Sequence, residues 1–182
     1  MNATINRTPA TLAVILAAGK GTRVEGLPEN TNKCAFPIRD GVSPALHMAN
    51  AFLSNGVTRI CVTVGHAADS VREAMAPLRG RTDIHFVENP LYGSTGCNFS
   101  LARAVKEALT NDIDQIVVVE GDSLFPAESI GQMLRPFSSA AVLVRPESYI
   151  SPTRSVVAVG RDDSVLRFAY DAKHRDVLSV AV

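Results

Sequence analysis

The stretch LAVILAA (12–18) is apolar without a break and stops at Gly19, and the mostly apolar VTRICVTVG (57–65) and DQIVVVEGD (114–122) likewise end at a glycine or Gly-Asp. A strand with no polar face must be covered on both sides, which is how a parallel sheet differs from a half-exposed antiparallel one. Between these runs the apolar period changes to that of helices. PALHMANAFLSNG (44–56) carries Pro44 where a first turn tolerates it and Asn55-Gly56 where a helix stops. ADSVREAMAPLRG (68–80) follows with Asp69 as the expected cap, then SLARAVKEALT (100–110) and PAESIGQMLRPF (126–137). Further strands are expected at DIHFVENP (83–90) and AAVLVRP (140–146), and a hairpin over 155–170 turning at residues 161–164. Strands alternating with helices predict βαβ crossovers: a three-layer α/β/α, doubly wound, mostly parallel sheet. Ligands of such sheets sit beyond the carboxyl ends of the strands. GKGTR, GHAAD and GDS all fall at that edge.

Length sets the scale: 182 residues suit one compact domain spanning 1–182. The formal net charge is +0, so neither nucleic acid nor an acidic membrane surface is an expected partner. The three cysteines, Cys34, Cys61 and Cys97, are far apart and form no CxxC pair. That argues against a disulfide framework and a zinc knuckle, and for a reducing cytoplasm. No run approaches the ~20 apolar residues of a membrane span, and the first ten residues lack the apolar core of a secretory signal.

The long segment 20–43, rich in Gly, Pro, Asn and Thr, is expected to be a functional loop. Its opening glycines let backbone N–H groups turn toward an anion, and Lys20 and Arg23 add charge. Two familiar phosphate loops are excluded by spacing. A Walker loop needs a glycine where Val14 stands, and a dinucleotide fingerprint needs one where Val24 stands. The four histidines are not clustered, and no G-x-S-x-G elbow supports serine hydrolysis.

LAAGKGTR, followed by Thr31-Asn32-Lys33, resembles the nucleotidyltransferase superfamily that makes nucleotide-diphospho-sugars and related activated head groups. ENPLYGSTGCNFSLARA (88–104) resembles the segment near base and acceptor in phosphocholine and phosphonate cytidylyltransferases, and Gly121-Asp122 resembles the strand-end acid of the superfamily. The resemblance implies a nucleotide seat over Leu16, Ala17, Ala18, Gly19, Lys20, Gly21 and Thr22, with Asn98 and Ser100 beside it. It implies Arg23 on the β- and γ-phosphates, Lys33 at the α-phosphate and acceptor, and Asp122 on Mg2+. The implied reaction moves a nucleoside monophosphate, with CTP the favoured donor, onto a small phosphate or phosphonate such as phosphocholine and releases pyrophosphate. A phosphate acceptor is already ionised near neutral pH, so no general base is required.

Other readings stay open on the residues alone. Transfer to a sugar-1-phosphate is one, and a non-catalytic nucleotide-binding regulatory domain is another. Asp122 suits a cap for the helix near Pro126, Ser100 a cap for 100–110, Tyr92 packing, and Glu120 alternates with Asp122 along its strand. His66 follows a strand-end glycine and is a candidate for lining the site. The superfamily's late second acid has no matching context here. The chain is therefore expected to be a C-terminally incomplete piece or a short member, and its final LSVAV suggests an edge completed by a second copy in a homodimer.

Overall fold

The computed structural model describes residues 9–135, 140–141, 156–159 and 165–169. Two compact units divide the chain, Met1–Ala140 and Ala141–Val182. In the first, β1 (Thr11–Ala17), β2 (Arg59–Val64), β3 (Asp83–Glu88) and β4 (Gln115–Glu120) form one parallel sheet in the order β3-β2-β1-β4. The helices are α1 (Pro44–Ser54), α2 (Ala68–Ala74), α3 (Cys97–Ala108) and α4 (Ala127–Met133), with a 3-10 turn at Ala76–Leu78. In the second unit, β5 (Val156–Val159) pairs antiparallel with β6 (Val165–Ala169). These two strands are the arms of the expected hairpin. Its turn, and the expected strand over 140–146 from residue 142 onward, lie outside the described residues.

Period two explains the layers. Ala13, Ile15 and Ala17 of β1 join Phe52 and Met48 of α1, Val71 of α2 and Ile130 of α4 in one core cluster. Leu12, Val14 and Leu16 point the other way, against Ala104 and Leu101 of α3. The central strand therefore needs an unbroken apolar sequence, since β1 is covered on both faces as doubly wound topology requires. β4 buries Val117 and Val119 on the first face, while Ile116 and Val118 on the other remain 36% and 40% exposed.

Caps set the helix limits. Ser43 accepts a hydrogen bond from the Leu46 N–H, Pro44 fills the first turn, and Gly56 in the left-handed region (φ 79°) ends α1 after Asn55. The cap of α2 differs from expectation: Ala67, left-handed at φ 46°, holds that position and Asp69 sits in the first turn. The reason is tertiary. The N–H of His66 donates to the carbonyl of Ala18, and its carbonyl accepts from Asn32, which fixes the chain just before the helix and makes Ala67 take the bend. Likewise α3 starts at Cys97, three residues earlier than expected, behind an extended Gly96. Ser100 is thus a buried residue of the first helical turn rather than a cap.

Candidate active site

In the order β3-β2-β1-β4, successive strands run outward from β1 and then return past it to β4, so the switch point lies between β1 and β4. Leu16 pairs with Glu120 there, and the Gly121 N–H donates to the Leu16 carbonyl at 2.8 Å. A cleft opens at this edge. Its walls include Ala18 and Gly19 after β1, Lys33 and Cys34 from the long loop, Tyr92 from the β3–α3 connection, and Glu120.

Lys33 and Asp122, 89 positions apart, meet in the cleft mouth with Nζ 2.6 Å from Oδ2. Their side chains are 24% and 41% exposed, so the pair is half open to water and adds little to stability. The Lys33 stem passes Gly21, which is left-handed at φ +66° and whose missing Cβ would lie 3.3 Å from the lysine Cδ. Gly19 has nothing within 4 Å of where a Cβ would stand, so the first glycine leaves free space over the strand end. The structure thus brings Gly21, Lys33 and Asp122 together. Thr22 and Arg23 stand exposed on the following turn, and Arg23 has no ion-pair or hydrogen-bond partner among the described residues. Lys20 reaches across the cleft, its Nζ 5.9 Å from the Tyr92 ring centroid. Leu16 lines the cleft, Ala17 is buried in the core beneath it, and Asn98 is exposed on the first turn of α3.

Two buried asparagines, neither assigned a role from sequence, shape the walls. Asn32 is fully buried, and its Nδ2 donates to the carbonyls of Ala17 (3.0 Å), Gly19 (3.1 Å) and His66 (2.9 Å). Its Oδ1 accepts from the Cys34 N–H at 2.9 Å. Asn89 holds the opposite wall: Nδ2 donates to Ser100 Oγ (2.9 Å) and Thr95 Oγ1 (3.1 Å), and Oδ1 accepts from the Leu91 N–H (2.9 Å). Ser100 lines the cleft while serving Asn89. Both lie inside the quoted resemblance motifs, Thr31-Asn32-Lys33 and ENPLYG, but nothing local marks their side chains as buried, since an asparagine in a loop beside a strand end is shared by most turns. His66 packs near Tyr92, ring centroids 6.0 Å apart, and does not line the cleft.

The electrostatics select among chemistries. The Cys34 thiol is pushed up to about 12, by burial first and then by the charge of Asp122, so it stays protonated near neutral pH and is no nucleophile. Burial likewise pushes Cys61 up to about 12. Both raised values keep the thiol form well above pH 8, whereas Cys97 is exposed. A disulfide-exchange reagent at pH 8 is therefore expected to titrate one thiol of three in the folded protein and all three after denaturation. Glu120 is held above its ordinary value by loss of water and by Asp122, against the pull of Lys33. What remains is a cation beside two carboxylates under a glycine turn, donors whose charges suit polyphosphate and a hard divalent ion. Asp122, exposed and oxygen-donating, fits Mg2+, which keeps several waters and takes one or two carboxylates. Among the described residues no three His, Cys, Asp or Glu side chains cluster as an all-protein metal cage, and no helix is long and apolar enough to cross a membrane.

Similarity to known proteins points to one family. The family model described as the MobA-like NTP transferase domain matches residues 13–181. A curated relative, the CMP-5'-(3-aminopropyl)phosphonate synthase of Streptomyces rubellomurinus, is 31% identical over 168 residues, covering 88% of this chain and 26% of its own length. This chain spans about a quarter of the length of the curated relatives it matches. Among solved structures, a nucleotidyl transferase from Methanothermobacter thermautotroptrophicus matches with TM-score 0.56 and 29% identity, over 69% of this chain and 56% of that one. The CTP:phosphocholine cytidylyltransferase of Streptococcus pneumoniae matches with TM-score 0.60 at 22% identity, over 88% and 64%, a likeness of fold.

Proposed function

Since this chain belongs to the MobA-like NTP transferase domain family, we propose that it transfers a nucleoside monophosphate, CMP from CTP by preference, to a small phosphate or phosphonate and releases pyrophosphate. One observation carries the reading: Lys33 and Asp122 converge at 2.6 Å on the switch point of the sheet, beside a glycine turn with open space above it. The preference for CTP and a phosphonate-type acceptor is supported by the activity that names the Streptomyces relative.

The acceptor oxyanion must approach an α-phosphorus that is itself surrounded by negative oxygens. The barrier is largely electrostatic and positional. Lys33 sits where its ammonium exchanges Asp122 for the α-phosphate and the incoming acceptor. That exchange leaves the Asp122 carboxylate available to Mg2+, which when bound supplies charge neutralisation to the phosphates. The amides of the turn around Gly19 and Gly21 receive phosphate oxygens where no side chain intrudes. Arg23, exposed and unpaired among the described residues, holds the departing β- and γ-phosphates bidentately, a geometry a lysine does not reproduce. Cys34 and Tyr92 line the cleft without a chemical role.

The test is a screen of pyrophosphate release with CTP, UTP, GTP and ATP against phosphocholine, 2-aminoethylphosphonate and hexose-1-phosphates, with magnesium present and absent. The expected result is metal-dependent release with CTP and a phosphonate or phosphocholine. Release with a hexose-1-phosphate would reassign the acceptor. A triphosphate-dependent thermal shift with no release from any pair would leave a nucleotide-binding domain without turnover.

A further inference from the structure

We propose that Asn32 is a positioning residue that presets Lys33 for reaction. This rests on Lys33 acting as described above, and it adds a device that holds the lysine ready. Asn32 is fully buried and sits directly before Lys33. Its amide touches three carbonyls from two different strand ends: Ala17 at the end of β1 and Gly19 just beyond it, and His66 after β2. An amide nitrogen has two hydrogens, so three acceptors at 2.9–3.1 Å share them. No other uncharged side chain of that length offers two donors and an acceptor at one point. Its carbonyl oxygen closes a local turn by accepting from the Cys34 N–H, and its own N–H donates to Ser70 Oγ at 3.0 Å. Lys33 therefore leaves a backbone held on both sides.

The side chain is guided along its length as well. Its root is fixed by Asn32 and Cys34, its stem runs under Gly21 with that glycine's missing Cβ 3.3–3.4 Å from Cβ, Cγ and Cδ, and its tip rests on Asp122. A free lysine carries much rotamer entropy, and holding it before substrate arrives lowers what must be ordered at the moment of reaction.

The experiment pairs Asn32→Ser with Lys33→Ala in a double-mutant cycle and solves the crystal structure of Asn32→Ser. Asn32→Ser should lower kcat by about tenfold or more, with KM for the triphosphate changed less than about twofold, because small misplacements of a reacting group cost rate rather than binding. Added to Lys33→Ala it should cost nothing further, since coupled residues are not additive. The crystal structure should find Lys33 Nζ away from the Asp122 carboxylate. An unchanged kcat, an equal loss in the Lys33→Ala background, or Lys33 still seated on Asp122 would each overturn the proposal. Should Asn32→Ser fail to fold, Ser70→Ala leaves the Asn32 side chain in place and removes the acceptor of its N–H, together with the bond from Ser70 Oγ to the Ala67 carbonyl. It should then lower kcat by a smaller factor that again vanishes in the Lys33→Ala background, and an unchanged kcat overturns the proposal. If the wild-type chain turns over no triphosphate, the transferase reading fails by itself, while the crystal structure still decides whether Asn32 sets the lysine.

Discussion

Lys33→Ala is expected to lower turnover at least ~100-fold while the protein keeps its fold and melting behaviour. Both halves follow from the geometry. The ammonium is the cation that contacts the strand-end carboxylate, at 2.6 Å, and its stem is cradled by Gly21. Among the described residues no other cation is placed to replace it: Lys20 lies against Tyr92, and Arg23 stands on the outer turn. Removing an electrostatic partner that acts on developing charge raises the barrier by several kcal/mol, about 2.7–4 for one well-placed donor. Stability, by contrast, hardly depends on it. The pair is 24% and 41% exposed, water solvates the Asp122 left behind, and half-exposed ion pairs contribute about 0–1 kcal/mol. Steady-state pyrophosphate release and thermal denaturation on the same preparation check the prediction. Turnover within threefold of the wild type, by about the resolution of such comparisons, would remove Lys33 from the reaction.

The split between what the sequence discloses and what it hides has a physical cause. Unbroken apolar runs disclose the parallel sheet, because only a strand covered on both faces needs them, and β1 has helices on both sides. The stop at Asn55-Gly56 is likewise local chemistry, a left-handed glycine after the last turn. The convergence of Lys33 and Asp122 was readable only through resemblance, since nothing in the spacing of residues 89 apart states that they meet. Errors occur where tertiary anchors override local preference. Asp69 has the better capping side chain, yet Ala67 occupies the cap because His66 is pinned on both sides by Ala18 and Asn32. Ser100 has the chemistry of a cap, yet α3 begins at Cys97 and the hydroxyl serves Asn89. Asn32 itself looks like filler between Thr31 and Lys33. Its importance comes from three carbonyls that only the folded sheet edge brings to one point.

Gly121→Ala is expected to damage both stability and activity, for a reason that sequence spacing alone does not contain. A Cβ at this position would stand 2.8 Å from the Leu16 carbonyl oxygen, 3.1 Å from Cys34 Sγ and 3.2 Å from Ala17 Cβ. None of these is the loose end of a long side chain. The carbonyl belongs to the central strand and already accepts the Gly121 N–H, Cys34 is buried at 1% exposure, and Ala17 is in the core. The clash therefore has to be relieved by backbone movement, at the usual overpacking cost of about 1–3 kcal/mol. In a domain of this size each kcal/mol lowers the melting temperature by about 2–4 °C. The movement falls one residue before Asp122, so the carboxylate that meets Lys33 shifts with it and turnover falls too. Gly19→Ala is the matched control. Nothing lies within 4 Å of its added Cβ, so the melting temperature should stay near that of the wild type, with a stability change within about 0.5 kcal/mol. The methyl instead occupies the open space proposed for phosphate, and the thermal shift on adding CTP and magnesium should shrink. Equal melting temperatures for the two variants would mean that β1 and β4 are not held as closely at the switch point as the 2.8 Å bond from Gly121 to Leu16 requires.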